Sequence, residues 1–169
     1  ARTILKSYSR NLCTLAKTKT SIRSSKKRNF IDPSIGVAAM GMSPDYFSKD
    51  YKTLGFLFES LCIRDLKAYS AADGGTISYY HDRFNLEADA VLHLEDGRYA
   101  LIEFKLGQTE VDIGAHHLCE IERLIDEHNK EDQQCPLRKP DLKIVITGTK
   151  YGYKREDGVY VIPIGCLKN

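Results

Sequence analysis

Two stretches of the chain alternate apolar and polar residues with a period of two. In Leu86–Leu94 the residues Ala88, Ala90, Leu92 and Leu94 fall on one face, and Glu87, Asp89, Val91 and His93 on the other. In Tyr99–Leu106 the same rule opposes Ala100, Ile102, Phe104 and Leu106 to Tyr99, Leu101, Glu103 and Lys105. A hairpin must put the two apolar rows on one face, because a one-residue slip sends a whole row into water. The Asp96-Gly97 pair invites a two-residue turn, but that register sets Asp89 opposite Phe104 and separates the apolar rows. A three-residue loop, Glu95-Asp96-Gly97 with Gly97 in the left-handed bulge position, pairs Leu94 with Arg98 instead. The rows then coincide, Asp89 faces Glu103, and Glu87 faces Lys105.

Longer periods surround the hairpin. Residues 47–67 predict an amphipathic helix with a core stripe of Leu54, Leu57, Phe58 and Leu61, broadened by Phe56. Asp32-Pro33 and Ser43-Pro44 each read as a cap followed by proline at a first helical position. Strands are predicted at Thr76–Asp82, Leu142–Gly148 and Val159–Ile164, and a second amphipathic helix at Ile113–Asp126. The order is α-β-β-β-α-β with one further C-terminal strand. It implies a mixed α/β fold, a central sheet flanked by helices and joined by a right-handed crossover.

The hairpin register carries the candidate chemistry. Directly opposed Cβ atoms lie about 4.5–5.5 Å apart, close enough for Asp89 and Glu103 to share one hard cation. Two facing carboxylates repel, so a plain solvent face does not favour the pairing. The bland alternative for Glu87 and Lys105 is an exposed cross-strand ion pair of ~0–1 kcal/mol. Glu59 is embedded among apolar helix residues, and a buried carboxylate needs a partner or a metal.

Net charge near +2 conceals an asymmetry. Residues 1–28 hold nine Lys/Arg and no acid, leaving sixteen Lys/Arg against all twenty-three acids in residues 29–169. The chain therefore divides into a basic extension of +9 and a body of −7. We expect 1–28 to be a helical arm or the remnant of a preceding winged-helix-like or linker region, and 29–169 to be the main domain. Such an arm suits phosphate-backbone contact through Arg10, Lys26, Lys27 and Arg28, or else packs as a helix against a neighbouring domain. His81 and Arg83, at the end of the first strand of the meander, are further candidates for phosphate contact. The acidic body argues against broad non-specific wrapping of DNA.

Five cysteines (Cys13, Cys62, Cys119, Cys135 and Cys166) form no Cys-x-x-Cys pair. The odd count predicts buried thiols in a reducing cytoplasm. His116 and His117 lack a second Cys or His at zinc-ligand spacing. No apolar run reaches the length of a membrane span. No phosphate-cradling Gly-x-x-x-x-Gly-Lys loop occurs, since Gly41 is followed by Met42.

With Glu59, Asp89, Glu103 and Lys105 in this order of elements, the chain resembles the PD-(D/E)XK, or restriction-endonuclease-like, nuclease fold. The segments GFLFESL, RFNLEAD, EADAVL, YALIEFKLG and VYVIPI resemble, more closely, an uncharacterised domain at the C-terminus of a family of bacterial AAA+ ATPases, over roughly residues 29–169. The resemblance implies a metal-dependent nuclease-like domain. Asp89, Glu103 and the Phe104 backbone carbonyl would ligate Mg²⁺ or Mn²⁺, joined by Glu59 directly or through water. Lys105 would orient the attacking water or stabilise charge on the phosphorane-like state. The implied partners are nucleic acid, with DNA favoured, and the N-terminal ATPase domain of a longer protein. Two departures are visible. Ala88 stands where the motif's proline would be, and RTILKSYSRNLCTLAKTKTSI nearly abuts KKRNFIDPSI where relatives carry a further helical stretch. The competing expectations are a catalytically inactive DNA- or partner-binding module and a docking domain with Phe47, Tyr51 and Phe56 as its interface. Docking would set Glu59 against Arg64 or Lys52 rather than against the hairpin.

Overall fold

The computed structural model describes residues 5–8, 27–82, 84–134 and 136–167. An antiparallel pair, β1 (Leu5–Tyr8) and β2 (Lys27–Phe30), opens the described chain. Three helices follow, α1 (Pro33–Met40), α2 (Pro44–Phe47) and α3 (Tyr51–Ser70). The main sheet is then built from β3 (Thr76–His81), β4 (Glu87–His93), β5 (Tyr99–Lys105), β6 (Leu142–Thr147), β7 (Tyr153–Lys154) and β8 (Tyr160–Pro163). Helix α4 (Val111–Glu131) connects β5 to β6. The sheet order is β3-β4-β5-β6-β8-β7, with β5, β6 and β8 parallel and both margins antiparallel. The expected mixed α/β architecture, its order of elements and the added C-terminal strand are all present.

Local chemistry sets the element ends. Asp32 accepts the Ser34 N–H at 2.8 Å with proline first in α1, and Gly41 closes that helix in the left-handed conformation. Asp50 caps α3 by accepting the Thr53 N–H at 3.1 Å. Helix α3 therefore begins at Tyr51, four residues later than the expected start at 47. Its buried stripe is also rotated. Leu57 and Phe58 of the expected stripe are buried and are joined by Cys62, Ile63 and Leu66, whereas Leu54 and Leu61 are only half-buried and Phe56 is 61% exposed. The expectation of helix for residues 1–28 is corrected at Leu5–Tyr8, which pair with Lys27–Phe30 as a strand. Phe47, an expected interface residue, is buried, while Tyr51 is exposed.

Each face of the sheet buries its own cluster. Against α3 lie Ala90, Ala100, Ile102, Phe104 and Ile146. Against α4 lie Val91, Leu101, Val145 and Val161, meeting Val111, Ala115, Leu118, Ile121 and Ile125 at helical spacing. The hairpin register is the one its apolar rows require, from His93 opposite Tyr99 to Ala90 opposite Ile102. The Leu94 N–H donates to the Arg98 carbonyl at 2.9 Å, and Gly97 takes a φ of 85°, so the loop has three residues. Among the described residues no helix is long and apolar enough to cross a membrane.

Candidate active site at the β4–β5 divergence

The central carboxylate owes its position to an irregularity in β4. Ser78 pairs with Val91, but Tyr80 pairs with Ala88, so Tyr79 alone stands against both Asp89 and Ala90. This β-bulge turns the strand over locally. Ala88 therefore joins the cluster under α4, while Ala90 stays in the cluster under α3. Asp89 and Glu103 do not form the simple facing pair expected of an unbroken ladder, because the β4–β5 pairing ends at Ala90 and Ile102. Asp89 Oδ2 instead accepts the Phe104 N–H at 2.9 Å, a donor that a regular continuation would give to the Ala88 carbonyl. The Phe104 carbonyl shares that strand edge with its N–H, facing β4. Asp89 is thereby fixed in the gap where the strands part, reachable from both faces of the sheet.

On the α3 face stands Glu59. Lys27 Nζ lies 2.5 Å from Glu59 Oε1 and 3.8 Å from Asp89 Oδ1, so one ammonium is shared by two carboxylates. Burial pushes the Glu59 carboxyl above its ordinary range against the pull of Lys27, and the charges of Asp89 and Glu87 add to the rise. Arg64 pairs with Asp32 and Asp65, not with Glu59. These groups open onto a half-enclosed cleft of about 630 Å³ with Glu59, Glu87, Asp89 and Lys27 in its lining. Phe30, Met40, Phe56 and Leu57 supply an apolar wall, and Arg28 and Asn29 complete the β2 side. Asn29 is buried, and its Nδ2 has no hydrogen-bond partner among the described residues.

On the α4 face stands Glu103, whose side chain is 0% exposed. Burial, and then the charge of Asp89, push its carboxyl up to about 8, against the pull of Lys105. Lys105 Nζ lies 2.7 Å from Glu103 Oε2, and His117 Nδ1 lies 3.4 Å from Oε1. Burial alone would lower Lys105, but Glu103, Asp89 and Glu87 outweigh it and hold its ammonium charged. His117 is held below its usual range by burial and by Lys105. The contacts of Lys27 to Glu59 and of Lys105 to Glu103 are ion pairs by distance. Neither Glu59 Oε1 nor Glu103 Oε2 receives a hydrogen bond of normal angle from a described residue. Each of these oxygens is thus held by charge at short range and keeps a lone pair unused.

The close approach of α4 depends on Gly114. A Cβ there would lie 3.1 Å from Lys105 Cε and 3.3 Å from Glu103 Cβ. Gly114→Ala is expected to be nearly neutral in stability, because gained helix propensity of about 1 kcal/mol offsets a push that the Lys105 chain absorbs. Gly114→Val has no such escape and is expected to lose about 1–3 kcal/mol by overpacking. Urea denaturation of the two variants checks this, and equal midpoints would contradict it.

The expected residues are thus partly assembled. Glu59, Asp89, Glu103 and Lys105 converge on the strand divergence from both faces. Among the described residues no three His, Cys, Asp or Glu side chains form a ready metal cage. Lys27, expected on a nucleic-acid-binding arm, is built into the carboxylate cluster. Arg28 is exposed beside it, lining the cleft. His81 is half-buried opposite Glu87, at the same end of the sheet. Arg10, Lys26 and Arg83 lie outside the described residues, as do Cys13 and Cys135. Of the other cysteines only Cys62 is fully buried, its thiol pushed far up by burial, while Cys119 is half-buried and Cys166 exposed. His117 and Gly114 were not anticipated. The available signal was a glycine inside a helix with no turn to make, followed three residues later by a histidine on the same face.

One protein-family model, a domain of unknown function (DUF4143), matches residues 54–167. No curated protein matches, and no solved structure matches.

Proposed function

Because the chain belongs to the DUF4143 family, whose description leaves its chemistry open, we propose its function from the site: a metal-dependent nuclease-like domain hydrolysing phosphodiester bonds of nucleic acid, DNA favoured. The observation that carries this reading is the placement of Asp89. A bulge fixes it between two buried carboxylates on opposite faces, beside a charged lysine and an open cleft. Plain structural packing gives no reason to gather three carboxyl groups at the end of a sheet, where burial and the charge of Asp89 push one of them, Glu103, up to about 8. The α-β-β-β-α-β order supports comparison with the restriction-endonuclease-like, PD-(D/E)XK, arrangement. On this reading the domain is the C-terminal part of a bacterial AAA+ ATPase-family protein and works in the cytoplasm.

The donors suit Mg²⁺ or Mn²⁺ in type, being hard oxygens. Two observations support the fit. Glu59 and Asp89 already hold one positive charge in common, and Glu59 Oε1 and Glu103 Oε2 are buried oxygens without a hydrogen bond. Asp89 would hold the ion with Glu103 and the Phe104 carbonyl, and Glu59 would join through water or by moving, since no three such side chains surround one point among the described residues. When bound, the ion would lower the pKa of a water ligand and neutralise charge on the scissile phosphate. The remaining work falls to the chain's own groups. Lys105 is a fixed cation, oriented by Glu103 beneath α4, where negative charge would build on the phosphate. His117 holds the outer oxygen of Glu103. Arg28 and Asn29 offer donors to the substrate backbone along the cleft.

The second reading is a binding module that keeps the scaffold without the chemistry. It is favoured by the pairing of Glu103 with Lys105 and His117, which leaves the acids short of a closed cage. The docking reading loses its diagnostic contact, since Glu59 turns to Lys27 and Arg64 turns to Asp32 and Asp65.

The test is calorimetric titration of Mg²⁺ and Mn²⁺ into wild type and Lys105→Ala, each also incubated with plasmid and single-stranded DNA. We expect Lys105→Ala to retain metal binding within a few-fold and to lose cleavage by about 100-fold or more. Metal binding by wild type without cleavage favours the binding module. Absence of metal binding in wild type, in Lys105→Ala and in a variant lacking the Lys27 ammonium overturns the nuclease.

A further inference from the structure

We propose that Lys27 is a place-holding cation. Its ammonium occupies the position between Glu59 and Asp89 that a divalent ion needs, so metal entry requires its departure. The inference rests on the metal-site reading above and adds to it a gate.

Three observations carry it. The ammonium touches both carboxylates at once, 2.5 Å from Glu59 Oε1 and 3.8 Å from Asp89 Oδ1. Both residues line the cleft. Asp89 Oδ2, the other oxygen, accepts the Phe104 N–H at 2.9 Å, which fixes the carboxylate with Oδ1 toward Lys27. Second, Lys27 does not belong to the framework that builds the site. It comes from β2, paired antiparallel to β1 with Lys27 opposite Tyr8, outside the six-stranded sheet. Because β2 forms no ladder with β4 or β5, moving the Lys27 side chain breaks no backbone hydrogen bond of the main sheet. Third, without a cation at this point Glu59 and Asp89 would be left without their shared ammonium, with Glu87 nearby. Burial chiefly raises the Glu59 carboxyl, Lys27 pulls it down, and the charges of Asp89 and Glu87 add to the rise. A resident ammonium relieves that repulsion in the resting protein.

With the ion bound the two carboxylates are neutralised, where the single ammonium left one negative charge. A divalent ion takes the carboxylates, and the released ammonium lies at the mouth of a cleft where a phosphate would arrive. Metal and nucleic acid are then coupled, because a phosphate that captures Lys27 leaves the carboxylates open to the ion. The same contact keeps the site closed when no substrate is present.

The test is Mn²⁺ affinity, read by calorimetry and by the paramagnetic resonance of bound Mn²⁺, in wild type, Lys27→Met, Lys27→Arg, Arg28→Met and Asp89→Asn. Lys27→Met should bind Mn²⁺ about tenfold more tightly, equivalent to about 1.4 kcal/mol. Lys27→Arg, which keeps the charge, should bind no more tightly than wild type. Arg28→Met removes a neighbouring charge for which no ion pair to either carboxylate is seen among the described residues, and should leave Mn²⁺ affinity unchanged while weakening only nucleic-acid contact. Binding by Lys27→Met alone, with none by wild type, supports the gate most strongly. Equal affinity of wild type and Lys27→Met, both abolished by Asp89→Asn, overturns the gate and leaves the metal site standing. Equal tightening in Arg28→Met also overturns it, as a general charge effect. Absence of binding in every protein removes the metal site and the gate with it.

Discussion

Glu103→Gln is expected to raise the melting temperature at pH 9 and to leave it unchanged at pH 4. The folded protein holds the Glu103 proton up to about pH 8, while the unfolded chain releases it near 4.5. A group that binds its proton more tightly when folded stabilises the fold at low pH. That stability disappears as pH rises from the unfolded to the folded value. Below about pH 4.5 the carboxyl is neutral in both states and resembles the amide. Above about pH 8 wild type has borne the full cost of charging a buried group, and the glutamine variant has not. The upper bound is about 5 kcal/mol. Some of this is lost because Lys105 forfeits its partner. Lys105's own raised value acts only above the ordinary lysine range, outside this window. A gain of several degrees is therefore expected, using about 2–4 °C per kcal/mol for a chain of this size. Melting curves at pH 4, 6, 7.5 and 9 check it. A variant no more stable than wild type at pH 9 would show that burial is not what governs Glu103.

The second large effect is at Asp89, where two substitutions separate charge from shape. Asp89→Asn retains an oxygen to accept the Phe104 N–H and loses only the charge. Asp89→Ala loses both and leaves a backbone donor unpaired at a cost of about 1–3 kcal/mol. Both variants are expected to lose Mn²⁺ affinity by at least about 100-fold, the upper end of what removing an outer partner of a metal costs. Only the alanine variant should be less stable. The charge of Asp89 also raises Glu59 and Glu103. Carboxyl titration by NMR should therefore find both shifted downward in Asp89→Asn. Unchanged Mn²⁺ affinity in both variants would mean that Asp89 serves only to cap Phe104.

The register of the hairpin was legible because burial admits only one alignment of the two apolar rows, and Gly97 could take the backbone conformation that alignment needs. Glu59 was legible as a carboxylate on an apolar helix. The bulge was not. Alternation in LEADAVLHL is unbroken, and nothing local says that Ala88 leaves the face of Ala90; that depends on how Tyr79 and Tyr80 of the neighbouring strand pack. Nor could the sequence place Lys27, because its position comes from pairing with residues some twenty positions earlier. The stripe of α3 was rotated for a related reason. Phe56 is apolar enough for a core, but the sheet meets the face of Phe58, Cys62 and Leu66, and Phe56 is left on the cleft wall.

The two-residue strand β7 has a consequence for solubility. Without it, β8 would present a row of unsatisfied backbone donors and acceptors at the margin of the sheet, a template for another molecule's strand. Tyr153 and Lys154 pair with Val161 and Tyr160, and the Lys154 ammonium sits 5.0 Å above the Tyr160 ring. Pro163, last in β8, has no N–H to offer. A brief, charged selvedge and a proline thus make this border a poor seed for fibrous association.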